Sequence, residues 1–343
     1  MTTIITTPQQ LKQLATELLQ TSAIALDTEF LWERTYYPIL GLVQVAPCDG
    51  QAILIDTIAL PDLSPLHPVL EDTRIVKIFH DAPQDMRIIS RATGNAHIRN
   101  VFDTRIAAGF AGLSSAIGLQ ALLQELLGIT LAKSETRSDW TARPLTQQQL
   151  NYAAEDVIYL HKAREELLRR TVSRDLLFQE LAKLDDLESP QPAEERWRKV
   201  KGHNRLPPLA QCVLRRLATW RENYAMQCDR PRNAIVRDEL LISLAQGLPL
   251  PPKGHAKALT DQLLAEIRSQ ALHDTPPKMM PKTSIDRTIL RDKSFALMAT
   301  VAEKARSKGI DPALIITRHA AEQFVLAGIS PDDWRKDFYP TTK

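Results

Sequence analysis

Cysteine is scarce in this 343-residue chain: Cys48, Cys212 and Cys228 are odd in number, far apart, and lack CxxC or Cys/His ligand spacing. That argues against a disulfide framework and points to reduced thiols in a cytoplasmic protein. No apolar run approaches the roughly 18 residues of a membrane span. The opening MTTIITTPQQ has neither a basic n-region nor an apolar h-region, so no export signal is expected. No repeat of about 20–50 residues stands out. What remains, with 44% hydrophobic and 24% charged residues, reads as globular. The length predicts two or three units of about 100–200 residues each.

The net charge is only +2, but it is unevenly spread. Residues 201–343 carry 23 Lys and Arg against 15 Asp and Glu, a net of +8, whereas residues 1–200 carry 20 against 26, a net of −6. An acidic front half and a basic rear half suggest a catalytic unit rich in carboxylates beside a unit that attracts polyanions, although helical surfaces often carry surplus Lys and Arg.

Thr7 and Pro8 offer an N-cap and an N1 proline for a helix through Leu19. Strands are expected at 23–30, 41–46, 52–56, 74–79 and 100–103, with PCDG (47–50) joining the second and third as a hairpin. Helices are expected from near Pro83 and again after residue 103, and one long helix from about Thr146 to Arg170. Strands first and β-α-β after them predict an α/β unit, a mixed sheet flanked by helices, over 1–170. The segment 171–205 reads as a helical, charged linker, and the stretch 188–208 is proline-rich and charged at both ends. Everything beyond it is helical in period, divided into an all-α domain at 206–285 and a C-terminal helical unit at 286–343.

AIALDTEF (23–30) places Asp27 and Glu29 on one face of a strand that is otherwise apolar, with Leu26, Thr28 and Phe30 on the other. Two neighbouring anions in a core are costly unless something compensates them. IFHDAPQDM (78–86) puts Asp85 in the first turn of a helix, where capping alone would account for it. LNYAAEDVIYL (150–160) sets Tyr152 and Asp156 on one helix face, about 6 Å apart along the axis, while Glu155 points elsewhere. Each fragment alone is weak. Together they form a quartet that two Mg²⁺ or Mn²⁺ ions would neutralise, and such a pair, about 3.5–4 Å apart, serves in-line displacement at phosphorus.

The three segments resemble the three Exo motifs of the DEDD exonuclease superfamily, in its tyrosine-bearing branch. Within it, ALDTEF with RTYYPILGLVQVA (34–46) and KSETRSDWTARPLTQQQLNYAAEDVIYL (133–160) are similar to the ribonuclease D family. LAQCVLRRLATWRENYAMQCDRPRNAIVRDELLISLAQGLP (209–249) resembles an HRDC domain, a small helical nucleic-acid-binding module, and the C-terminal unit resembles, weakly, a reduced second one. The resemblance implies an RNase H-like sheet followed by HRDC-type helices. It also implies divalent-metal-dependent 3′→5′ hydrolysis of RNA to nucleoside 5′-monophosphates, with tRNA precursors as the usual substrates. Asp27, Glu29, Asp85 and Asp156 would hold the metals, with Tyr152 orienting the attacking water, because a phenol of pKa about 10 is a poor base at neutral pH. One departure is Asp81, where the family more often has a small residue.

Thr28, His80, Lys133, Arg137, Trp140 and Arg143 are candidate substrate-binding residues. The cations suit phosphates and the indole suits a base, against the alternatives of a satisfied loop histidine and a loop pinned by ion pairs around a half-buried tryptophan. In the helical domain, Arg215, Arg216, Arg221 and Arg230–Arg232 are candidate phosphate contacts or a solvated basic face. A DNA exonuclease and a non-catalytic RNA-binding protein on an exonuclease scaffold remain as rival readings. No obligate protein partner is evident.

Overall fold

The computed structural model describes residues 2–131, 135, 138–186, 193–251, 258–276 and 286–340. They form two compact units. The first, Met1–Leu31 with Leu40–Glu188 and Thr283–Lys343, is built on a six-stranded mixed sheet. Its strands are β1 (Thr2–Ile5), β2 (Ala23–Leu31), β3 (Ile39–Ala46), β4 (Ala52–Asp56), β5 (Val76–Phe79) and β6 (Val101–Asp103), in the order β1-β4-β3-β2-β5-β6. β3 and β4 are the antiparallel hairpin expected from PCDG, with Leu42 opposite Asp56 and Val45 opposite Ile53. β2, β5 and β6 run parallel, so their carboxyl ends lie along one edge of the sheet.

The first helix starts where its sequence says. Thr7 and Gln10 form a reciprocal capping box, and Pro8 occupies the first turn of Pro8–Leu18. β1 was not expected: four residues carry too short a pattern to read, and pairing with β4 makes them a strand. The long helix expected over 146–170 is two, Gln147–Ile158 and Leu160–Arg170. The Ile158 carbonyl accepts the Gly50 N–H of the hairpin turn at 3.1 Å, and His161 Nε2 meets the Ala46 carbonyl at 2.9 Å. The hairpin turn thus takes up a carbonyl near the break.

Two boundaries differ from the sequence reading. The helical, charged linker expected over 171–205 does contain a helix, Arg174–Asp185, but that helix buries Leu177, Leu181 and Leu184 in the core of the first unit. Ala193–Lys199 is a 3₁₀ segment whose Trp197 is buried in the second. Nor do residues 286–340 stand apart. Helices Arg287–Ser307 and Arg318–Ala327 put Leu297, Val301, Ala305 and Ala321 into the same core as the sheet. Asp311 fastens the junction, its carboxylate accepting Ser115 N–H at 2.6 Å and its own N–H reaching the Gly109 carbonyl at 2.7 Å.

The second unit, Trp32–Ile39 with Ser189–Lys282, is helical. Helix Pro208–Gln227 is its axis, and Asp238–Ala245 and Asp261–Ala271 pack on it through Leu214, Leu217, Leu241, Leu244, Leu264 and Ile267. The loop at 32–39 joins this core through Tyr36, whose hydroxyl donates to Glu222.

Candidate active site

Asp27 and Glu29 lie on β2 beyond Ala25, the last residue of that strand paired with β5. They therefore stand at the carboxyl edge of the parallel strands, where open α/β sheets bind ligands. β5 ends at Phe79, and after a short turn helix Pro83–Ala92 delivers Asp85 from its first turn. Helix Gln147–Ile158, started by a Thr146–Gln149 capping box, packs across β2 and β4 and brings Asp156 and Tyr152.

The carboxylate oxygens of Asp27, Glu29 and Asp156 lie within 4.8 Å of one another. Asp85 is the fourth charge, felt electrostatically by each of the other three. Burial is the first cause of every shift in this group. It holds Asp27 well above the usual carboxylate range, with the charges of Asp85, Asp156 and Glu29 adding to it. Burial and then the charges of Asp156 and Asp85 push Glu29 up to about 9. Asp156 is pushed up to about 7 by burial, against a hydrogen bond from Tyr152 that favours its ionised form. Asp85 is pushed up to about 6 by burial, against the hydroxyl of Thr28.

A set of hard oxygen donors that resist ionisation together is what a divalent cation reverses, because its charge stabilises every carboxylate at once. Three donor groups within one small sphere, with a fourth acid nearby, fit such an ion.

Several substrate candidates have internal duties instead. Thr28 is buried, and its hydroxyl donates to Asp85, so it orients a carboxylate and does not face substrate. Trp140 is only 1% exposed, packed with Leu42, Leu54 and Ala153 and tilted against the Tyr152 ring at 6.0 Å. A buried indole offers no face to a base; it backs Tyr152. Gly41 permits this, since a Cβ there would come within 2.3 Å of the Trp140 carbonyl.

Arg143 donates Nε and Nη2 to the two oxygens of Asp56, each at 2.7 Å, and also bonds the carbonyls of Gly41, Trp140 and Ala142. It staples this loop to β3 and β4 and is not free for phosphate. His80 shares a hydrogen bond of 2.8 Å with Thr104, and burial, with Arg105 next, lowers its pKa to about 4. It is a neutral loop histidine, not a phosphate-binding cation. Lys133 and Arg137 lie outside the described residues.

Asp81, the departure from the family pattern, has its carboxylate paired with Arg105 and its side chain 62% exposed, although its charge still helps raise Asp85. Sequence reasoning missed Asp103. This buried carboxylate accepts Asp81 N–H at 3.2 Å and Ala82 N–H at 2.9 Å, fixing the turn that leads to Asp85, and it caps the next helix through Arg105 N–H at 2.8 Å. The signal was present, an Asp immediately before the helical run TRIAAGF.

In the helical unit, Arg215 and Arg216 pair with Asp274, Arg221 with Asp238 and Arg232 with Glu222. No helix among the described residues is long and apolar enough to cross a membrane.

Comparison with known proteins agrees with this geometry. A 3′-5′ exonuclease family model matches residues 2–171, and an HRDC domain model matches 211–253. Ribonuclease D of Desulfotalea psychrophila is 39% identical over 327 residues, covering 91% of this chain and 87% of that protein. Ribonuclease D of Escherichia coli is 37% identical over 254 residues, 72% of this chain and 66% of that protein. The crystal structure of Escherichia coli RNase D, described as an exoribonuclease involved in structured RNA processing, superposes with a TM-score of 0.82 at 28% identity, covering 100% of this chain and 93% of that one.

Proposed function

The chain belongs to the ribonuclease D family and is an exoribonuclease, and from that premise we propose that it shortens RNA from the 3′ end in a reaction that depends on two divalent cations held by Asp27, Glu29, Asp85 and Asp156. The observation that carries this reading is the approach of the Asp27, Glu29 and Asp156 oxygens within 4.8 Å. When bound, Mg²⁺ or Mn²⁺ supplies the positive charge that lets these acids ionise together and that stabilises charge developing on the phosphodiester oxygens.

The protein's own groups do the positioning. Asp27, Glu29, Asp85 and Asp156 would hold the cations. Thr28 keeps Asp85 ionised and aimed, and Asp103 fixes the turn before it. Tyr152, backed by Trp140, orients the attacking water toward phosphorus; its hydroxyl also favours the ionised form of Asp156. A phenol, with an ordinary pKa of about 10, suits a donor better than a base. The product would be a nucleoside 5′-monophosphate and an RNA one residue shorter. The HRDC-type unit would hold the RNA body, and we take tRNA precursors as the substrate and the cytoplasm as the place.

The test is incubation of the purified protein with a 3′-extended tRNA and with a deoxy oligomer of the same sequence, with Mg²⁺ or with EDTA, sizing products nucleotide by nucleotide. Stepwise 3′ loss from RNA that EDTA abolishes is expected. Cleavage that persists in EDTA, or that prefers the deoxy strand, overturns the reading.

A further inference from the structure

Outside the acidic site, the strongest chemistry lies in a cavity of about 310 Å³ within the helical unit. Four cations, Arg196, Lys199, Arg221 and Arg232, share its wall with two acids, Glu33 and Asp238, and with the ring of Trp32. The cations are not fully answered. Arg221, buried except for 5%, bonds the Val236 carbonyl and Asp238 through Nη1, each at 2.8 Å, while its Nε finds no acceptor among the described residues. Lys199 is exposed and makes no ion pair among the described residues. Arg196 and Arg232 share the single buried carboxylate of Glu222.

Trp32 stands at this wall as a fixed aromatic. Its Nε1 donates to the Tyr36 carbonyl at 3.0 Å, yet the residue remains 49% exposed. The loop that carries it is anchored. Asp229 accepts the N–H groups of Tyr36 and Tyr37 at 3.0 Å each, and Arg232 lies over the Tyr36 ring at 4.7 Å. A fixed ring with an open face beside surplus positive charge suits a nucleotide, whose base stacks and whose phosphate meets the cations. An apolar ligand would leave the charge unused, and a simple anion would leave the ring unused.

We propose that this cavity is a nucleotide subsite for the RNA chain, with one base on Trp32 and its phosphate beside Lys199. The inference rests on the exoribonuclease reading and adds a second point of grip. The loop continues β2, so Trp32 follows Glu29 by three residues in the chain. A half-exposed ring suits one link of a polymer held elsewhere as well. A free mononucleotide needs a site that encloses about 70–90% of its surface.

The experiment measures binding of a fluorescein-labelled single-stranded oligo(A) of about 12 nucleotides to the full chain in EDTA. Hydrolysis is off there, so the result stands whether or not the protein proves to be an exoribonuclease. Trp32→Ala is expected to weaken binding by roughly 5- to 150-fold, the range that one base–aromatic stack contributes. Trp32→Phe, which keeps a ring but loses the Nε1 donor, is expected to recover most of that loss. Lys199→Glu, on a different segment, is expected to flatten the dependence of log Kd on log salt by about one. Unchanged affinity in Trp32→Ala and Lys199→Glu overturns the proposal. Failure of phenylalanine to restore binding overturns the stacking. Competition by AMP as strong as that by the oligomer overturns the assignment to the polymer.

Discussion

Replacing Thr28 with valine keeps the side-chain shape and removes one hydroxyl, the one that donates to Asp85. Hydrogen bonds to charged groups contribute about 1.5–3 kcal/mol, so losing this one raises the Asp85 pKa by about one to two pH units. Asp85 already sits at about 6, so it is ionised in about 90% of wild-type molecules near pH 7. With the pKa moved to about 7–8, the ionised fraction falls to between about 50% and 10%, and cation affinity falls with it by about two- to tenfold. The assay is a Mg²⁺ titration of mononucleotide release from oligo(A), repeated near pH 7 and near pH 9. The variant should need about two to ten times more Mg²⁺ at the lower pH. The gap should narrow at the higher pH, where Asp85 is largely ionised in both proteins. Thr28→Ser should behave like wild type. Identical Mg²⁺ dependence in Thr28→Val and wild type, or a gap independent of pH, would refute the reasoning.

The acidic cluster also sets the pH dependence of stability. Glu29 and Asp156 have folded-state pKa values of about 9 and 7, above their unfolded values. At these two positions the metal-free fold binds more protons than the unfolded chain, and their contribution to stability falls as pH rises from about 4 to 9. Thermal melts in EDTA should show Tm falling across that window, and Mg²⁺ should raise Tm more near pH 8 than near pH 5; the opposite trend would contradict the placement of these carboxylates. In the C-terminal segment, Phe338 is 2% exposed in the core shared with the sheet, beside Trp334. Phe338→Ala should cost about 3–5 kcal/mol and lower the melting of the exonuclease unit itself, and a melt that left that unit unchanged would return the tail to an independent fold.

What the sequence made legible was local chemistry. Thr7 with Pro8, the PCDG turn and Thr146 each carry their own stop or start signal, and the hairpin and helices begin there. Asp27, Glu29, Asp85 and Asp156 could be read as a group because three short motifs carry them in order, and the structure brings oxygens of Asp27, Glu29 and Asp156 together. Partners were not legible. Side-chain alternation placed Thr28 on the face away from the acids, but it says nothing about Asp85 arriving from a helix at the end of a neighbouring strand. Trp140 and Arg143, an indole and a cation in a polar loop, look like an RNA patch until Leu42, Leu54 and Asp56 are known to lie against them. The tail helices showed an apolar face without showing which core would take it. Trp197 likewise sat in a stretch rich in charge and proline that reads as a tether.

We propose that this quartet of acids exists to hold divalent cations for RNA cleavage. The most direct test is anomalous diffraction from crystals of the protein soaked in Mn²⁺. An anomalous peak is expected within about 2–2.5 Å of carboxylate oxygens of Asp27, Glu29 and Asp156, and its loss in Asp156→Asn. Manganese bound elsewhere on the protein, with that cluster empty, would contradict it.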